Sequence, residues 1–441
     1  MRRLTTAAAV GTAAALLAGV LAGPASATPS AEPPAGLPSL AELADEVSGT
    51  PVAVGERAEV AGIGEAALIT APGRLVTGAP ARVFDTRDPD VGPVGPGLDG
   101  VVWYDFSELM YLGATSVVLN VTATRGTSPT SFITVLDDNG GYAVPTTSSL
   151  NSSIGRDVAN LVTVPLIGEG WVGLYNNSGW THLVGDLQAV YVDANLAAGS
   201  GEVTGGLVLT GEPDRVLDTR TSTPLGPKGY RELQLTEAPE GAIAAVVTVT
   251  TTQATAPTSF ISAWPYDAAD RRPVPEVSIL NAYKHSDIPN LSLLALGDDD
   301  TVTLYNNAGS THVIVDVVGW FVADGGDAFH PITAQRAIGS GSIGHAEKRT
   351  FTSASSGLDL PAEVSAVALN LTTSRPSRPT YLTVYPAGTP RPATSSTNAR
   401  LGADVATAAV TGVSDGWTVY NNQGTVRALV DVVGYFAPYG G

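Results

Sequence analysis

Gly170-Trp-Val-Gly-Leu-Tyr-Asn-Asn-Ser-Gly179, followed by Thr181-His-Leu-Val-Gly-Asp-Leu-Gln-Ala-Val-Tyr191, occurs three times in this chain. It returns as Thr301-Val-Thr-Leu-Tyr-Asn-Asn-Ala-Gly309 before Thr311 to Phe321, and as Gly416-Trp-Thr-Val-Tyr-Asn-Asn-Gln-Gly424 before Val426 to Phe436. Each copy has an aromatic residue, Asn-Asn-x-Gly, an apolar run holding one Asp, and a terminal aromatic. Asn and Gly accept positive φ at low cost, so Asn-Asn-x-Gly between alternating strands reads as a hairpin turn.

Other landmarks recur at matching places. Two openings are Leu75-Val-Thr-Gly-Ala-Pro-Ala-Arg-Val-Phe-Asp-Thr-Arg87 and Val208-Leu-Thr-Gly-Glu-Pro-Asp-Arg-Val-Leu-Asp-Thr-Arg220; the third, Pro331 to Gly341, keeps Arg336 but lacks Asp-Thr-Arg. Val117-Val-Leu-Asn-Val-Thr-Ala-Thr124 is matched by Ala245 to Thr252 and Val367 to Ser374, which the β-branched alternation marks as strands. Ser148-Ser-Leu-Asn151, Ser278-Ile-Leu-Asn281 and Ser395-Ser-Thr-Asn398 mark turns at one shared position. The expected architecture is all-β: three tandem homologous β-sandwich-like domains, over 74–195, 203–324 and 328–438.

The 441 residues include 49 Gly, 31 Pro and no Cys, with 44% hydrophobic residues. Disulfides, thiol catalysis and Cys-ligated metal are thereby excluded. The formal charge is −19. No basic stripe exists, so nucleic acid is not an expected partner. Residues 1–27 read as a secretory signal peptide: Arg2 and Arg3, an apolar run from Ala7 to Val20, and Ala25-Ser26-Ala27 at the cleavage site. Val20 and Pro24 stand where a lipoprotein needs Cys, and no further membrane span or sorting tail is expected. Residues 28–73 read as an Ala/Pro-rich flexible leader. Within it Ser39 caps a short helix with apolar residues at 40, 43 and 47, which could dock on the first repeat or serve as a short tether.

These motifs together resemble a tandem module of secreted actinobacterial proteins, over about residues 74–438. In that family the module stands in arrays or beside cell-wall-degrading domains such as peptidoglycan amidases. The resemblance implies an extracellular, envelope-associated role; the degraded opening of the third repeat departs from it.

Asp186, Asp316 and Asp431 share one repeat position on an apolar strand face, and a carboxylate there needs a partner. The Arg common to all copies supplies one, giving the expected structural pairs Arg82–Asp186, Arg215–Asp316 and Arg336–Asp431. Asp85 with Arg87, and Asp218 with Arg220, precede Pro/Gly loops. They either pin the loop by an Arg–Asp fork, the favoured reading, or bind a ligand. His182 and His312 stand four residues from their Asp, about 13 Å along a strand, and read as exposed strand residues rather than ligands. Asp137-Asp138-Asn139-Gly140 and Asp298 to Asp300 read as solvated acidic turns. Gly339 to Gly344 fits a dinucleotide fingerprint only by accident, with no βαβ unit around it. Trp180, at one tip only, is the best exposed aromatic for stacking on a sugar; Trp171 and Trp417 read as packing residues.

No catalytic residue, metal site or cofactor emerges. The expected function is non-catalytic binding or structure at the cell envelope, with a cell-wall glycan as first partner. A self-assembling surface protein, with repeats packed laterally or around a pseudo-threefold axis, is the alternative. A hydrolase is a third reading, disfavoured because no acid/base pair recurs.

Overall fold

A computed structural model describes residues 39–47, 51–53, 71–138, 144–200, 203–268 and 277–439. Residues 1–27, the expected signal peptide, and most of the expected leader lie outside the described residues. In the first repeat the strands are β1 (Val52–Ala53), β2 (Gly73–Asp85), β3 (Val102–Asp105), β4 (Ala114–Thr124), β5 (Ser131–Leu136), β6 (Leu150–Ser152), β7 (Val158–Pro165), β8 (Trp171–Asn176) and β9 (His182–Asp193). The second contains β10 (Gly206–Asp218), β11 (Gly229–Gln234), β12 (Ala242–Thr252), β13 (Thr258–Pro265), β14 (Leu280–Tyr283), β15 (Ile288–Ala295), β16 (Thr301–Asn306) and β17 (His312–Val322). The third contains β18 (Ala328–Arg336), β19 (Gly341–Ile343), β20 (Lys348–Phe351), β21 (Ala366–Ser374), β22 (Thr380–Pro386), β23 (Thr397–Ala399), β24 (Val405–Gly412), β25 (Trp417–Asn421) and β26 (Val426–Ala437).

Each repeat divides its strands between two antiparallel sheets. The inner orders are β2-β9-β4-β7, β10-β17-β12-β15 and β18-β26-β21-β24; the outer orders are β3-β8-β5-β6, β11-β16-β13-β14 and β20-β25-β22-β23. This alternation of consecutive strands is the connectivity of an eight-stranded jelly roll. Apolar side chains fill each interior, as with Val117, Leu119 and Leu174 in the first repeat, and Trp417 against Phe351 in the third.

The repeated Asn-Asn-x-Gly element is not a hairpin. β8 pairs with β3 and β5, whereas β9 pairs with β2 and β4, so the turn carries the chain from the outer sheet to the inner one. The first Asn explains the crossing. Asn176 is fully buried; its Nδ2 donates to the Gly179 and Val94 carbonyls, and its Oδ1 accepts from Ser131 Oγ. Asn306 and Asn421 repeat this pattern with Gly309, Leu225 and Ser259, and with Gly424, Ile343 and Thr380. The amide stands in for the ladder bonds that a hairpin would have made. Gly179 has φ +65°, and a Cβ there would come within 2.9 Å of Ser128.

From Ala35 onward the chain is one unit, with the three inner sheets facing a shared apolar centre. The terminal aromatics of the repeated element, Tyr191, Phe321 and Phe436, converge there with Phe329. Tyr191 stacks on Phe329 at 4.4 Å and lies 6.0 Å from Phe321, and Phe321 lies 6.1 Å from Phe436. The starts of the three inner sheets also join in a cycle: Phe329 pairs with Gly73, Leu75 with Gly205, and Leu207 with Asp327. Burial of these rings favours a common core over separate beads.

Two leader pieces are built into the first repeat. Helix Leu40–Asp45 has Ser39 as N-cap in a capping box with Glu42, and buries Leu40 and Leu43 in the first core, joined by Val47 just past the helix. β1 extends the outer sheet beside β3.

Candidate functional site

Opposite strands place Arg82, Asp186 and Asn120 in one row across β2, β9 and β4. Arg82 Nε donates to Asp186 Oδ1 at 2.8 Å, Arg215 Nε to Asp316 Oδ1 at 2.7 Å, and Arg336 Nε to Asp431 Oδ1 at 2.8 Å. Burial pushes all three carboxyls upward, and the guanidinium forks pull them back. Arg215 is itself raised by its bond to Asp316. The fork satisfies both carboxylate oxygens, and burial still leaves the three carboxyls above their ordinary range.

The Asp is more than an internal partner. Asp186 Oδ2 also accepts the backbone N–H of Ser278, 3.2 Å away in the second repeat, and Asn120 Nδ2 donates to the Ser278 carbonyl. Asn290 Nδ2 then donates to Asn120 Oδ1 at 3.0 Å. The junction of third and first repeats repeats this: Asp431 accepts from Ser148 N, Asn370 donates to the Ser148 carbonyl, and Asn160 Nδ2 donates to Asn370 Oδ1 at 2.9 Å. The Ser-x-x-Asn turn is thus where neighbouring repeats grip one another. At the junction of second and third repeats, Thr248 and Thr407 replace the two Asn, and no Asp316–Ser395 bond forms among the described residues.

Arg74, which the sequence reading did not single out, locks the opposite end. Its guanidinium donates to Thr204 Oγ1 and to the carbonyls of Thr204, Val322, Ala323 and Gly325. By strand register the matching positions are Gly206 and Ala328, so repetition gave no signal for it.

The Asp-Thr-Arg motifs form local forks. Arg87 Nε lies 2.8 Å from Asp85 Oδ1, and Arg220 Nε 2.9 Å from Asp218 Oδ1. The Arg220 fork holds Asp218 down to about 2. The Thr between is buried: Thr86 Oγ1 accepts from Leu183 N, and the Thr86 carbonyl lies 2.6 Å from His182 Nδ1. Thr219 and His312 do the same at 2.7 Å. These His are therefore half-buried partners of the motif rather than exposed strand residues. The third repeat lacks both halves, with Arg427 at the His position, and its chain continues along β26 as β19.

Acidic turns behave unequally. Asp298 to Asp300 form an exposed turn, but Asp138 is buried and its Oδ2 accepts from Glu169 N, so it is not a solvated residue. Asp137 accepts from Thr333 Oγ1 of the third repeat at 2.7 Å, and burial raises it. Asn139 and Gly140 lie outside the described residues. Trp180 is 53% exposed and lies across Gly95. Trp417 is buried on Phe351, and Trp171 packs beside Trp103 and Tyr175. Gly339 to Gly344 begins in a turn at Gly339 and runs on into the short strand β19.

The cavity that unites the three repeats was not foreseen. It has a volume of about 1030 Å³ and opens where the Ser-x-x-Asn turns lead into β7, β15 and β24. Equivalent residues line it, including Asn151, Asn281 and Asn398, and Asp157, Asp287 and Asp404. Each Asp spends an oxygen locally, on Thr124 Oγ1, Thr252 Oγ1 and Arg375 N respectively. Other wall positions differ between copies. Two residues after the Asn stand Ser153, Tyr283 and Arg400; five after it stand Arg156, Ser286 and Ala403. Arg156 Cζ lies 4.6 Å from the centre of the Tyr283 ring, and its Nη2 lies 3.4 Å from Ser286 Oγ. Burial, and then the like charge of Arg400, lower the Arg156 guanidinium. Trp180 and the Asp-Thr-Arg forks do not line this cavity.

No group of three or more His, Asp or Glu suited to a metal occurs among the described residues, and none of their helices is long and apolar enough to cross a membrane. No family model and no curated protein matches this chain. Solved structures do: a chain of the archaeal virus structure reported with a triple jelly roll fold and turret assembly is 11% identical, over 83% of this chain and 91% of its own, with a TM-score of 0.17. A chain of Sulfolobus Turreted Icosahedral Virus is 10% identical, over 85% and 100%, with a TM-score of 0.19.

Proposed function

We propose that this protein is a secreted, non-catalytic binding module of the bacterial cell envelope, made of three copies of one β-sandwich-like domain that arose by duplication, and that its ligand is a cell-wall glycan. The observation that carries the reading is the junction cavity of about 1030 Å³. Its size suits a few sugar rings. Its walls offer amides, hydroxyls, guanidinium groups and the Tyr283 and Tyr381 side chains, the mixture of donors and ring faces that saccharides use. The secretory signal expected at residues 1–27 and the resemblance to a secreted actinobacterial module agree with this location.

The test is co-sedimentation of the mature chain with purified cell wall. Retention in the pellet, competed by soluble wall fragments, is expected; a chain that stays in the supernatant at micromolar wall disaccharide contradicts the proposal. Trp180→Ala separates the exposed tip from the cavity, since a cavity ligand leaves its retention unchanged.

A further inference from the structure

Comparison of the three copies sorts the cavity wall. Asp157, Asp287 and Asp404 are alike in every repeat, and each is engaged in a local hydrogen bond. They are explained by strand entry. Arg156 and Arg400 are not repeated. One comes from the first repeat and one from the third, at different places in the turn, yet they reach the same cavity and sense each other's charge. Neither makes an ion pair among the described residues. The carboxylates of Asp157, Asp287 and Asp404 share this wall, each with an oxygen already committed to a local hydrogen bond, and the two guanidinium groups still repel across the cavity, a repulsion from which folding gains nothing. An anion placed between them removes it and receives charge-assisted, forked hydrogen bonds. Tyr283 carries Arg156 on its ring while its hydroxyl accepts from Asp157 N, so one cationic arm is held in place before a ligand arrives.

We propose that the cavity selects an acidic saccharide, a glycan whose carboxylate or phosphate ester is held between Arg156 and Arg400. The inference rests on the glycan reading above and sharpens it to a charge class. With a net charge of −19 the whole molecule repels anions at long range, so selectivity comes from these two contacts at close quarters.

Isothermal titration calorimetry on the full mature chain tests it, with trigalacturonate, a wall-derived saccharide phosphate, neutral chitotriose and inorganic phosphate as probes. At least one acidic saccharide should bind at least tenfold more tightly than chitotriose, and which one binds identifies carboxylate or phosphate as the source of charge. Arg400→Gln and Arg156→Gln should each cost about tenfold or more for that ligand. The Arg400 guanidinium makes no hydrogen bond or ion pair with a described residue, and the backbone bond from Ala403 N to the Arg400 carbonyl survives substitution, so Arg400→Gln should keep the thermal midpoint and remains a valid variant if Arg156→Gln unfolds. Equal binding of chitotriose and the acidic probes overturns the charge selectivity while leaving the glycan reading intact. Inorganic phosphate binding as tightly as the saccharides overturns the saccharide. Cell-wall retention unchanged in Arg400→Gln, with no calorimetric signal from any acidic probe, overturns this assignment of the cavity and leaves a wall-binding site elsewhere.

Discussion

The junction between first and second repeats and the junction between second and third occupy equivalent places and are built differently. At the former, Asp186 holds both Arg82 and the Ser278 amide, and Asn120 and Asn290 complete a buried relay. At the latter, Asp316 holds Arg215 alone, and threonines replace both amides. The same ion pair thus serves two purposes. Inside a repeat it satisfies a carboxylate on an apolar face; between repeats it becomes an acceptor for a neighbour's backbone. The second purpose goes with an Asn beside it, whose amide donates to the carbonyl of the same residue whose N–H the Asp accepts. Three copies of one fold therefore close into a ring with two polar clamps and one seam of plainer contacts.

Removing the carboxylates should break this comparison most visibly. Asp186→Ala should destabilise the chain by about 4 kcal/mol, since it takes from Arg82 its buried fork partner and leaves the Ser278 amide without its acceptor. Asp316→Ala should cost about 1 kcal/mol less, the difference being one cross-repeat hydrogen bond. Urea unfolding midpoints compare the two, and equal losses would show that the extra bond contributes nothing. Arg74→Ala should cost about 3 kcal/mol by loss of carbonyl partners at the opposite end of the ring. If its unfolding midpoint matches the parent, Arg74 is not what ties repeats one and two there. Asn120→Thr converts the clamp into the composition of the seam and should cost about 1–2 kcal/mol. The smallest effect concerns pH. Asp218, held at about 2 against an ordinary 3.8, contributes stability that is present above about 3.8 and lost as pH falls toward 2. The Arg220 arm of the fork is exposed to solvent, so screening keeps the contribution small. A carbon-detected NMR titration of Asp218 that gives an ordinary midpoint, or one unmoved by Arg220→Gln, would remove the fork from the account.

What could be read from the sequence was local. Alternating β-branched residues mark strands because side-chain direction alternates along a strand, and the three-fold recurrence sets the number of repeats. Arg82 and Asp186 could be matched because each recurs and a carboxylate among apolar neighbours needs a cation. The destination of the Asn-Asn-x-Gly turn was not legible. Asn and Gly suit any tight turn, and only the burial of Asn176 among Val94, Ser131 and Gly179 tells a sheet crossing from a hairpin. The cavity was less legible still. Arg156 and Arg400 lie 244 residues apart at non-equivalent positions, and only ring closure brings them together. The copies' shared residues explain folding, and their differences locate the site proposed for binding.

Amide hydrogen exchange at three serines tests the ring of unequal junctions most directly. Ser278 and Ser148 N–H should be protected by the carboxylates of Asp186 and Asp431, and Asp186→Asn should speed exchange at Ser278 alone. Ser395, the matching residue at the second–third seam, should exchange at least tenfold faster than either. Equal rates at all three serines would contradict the account.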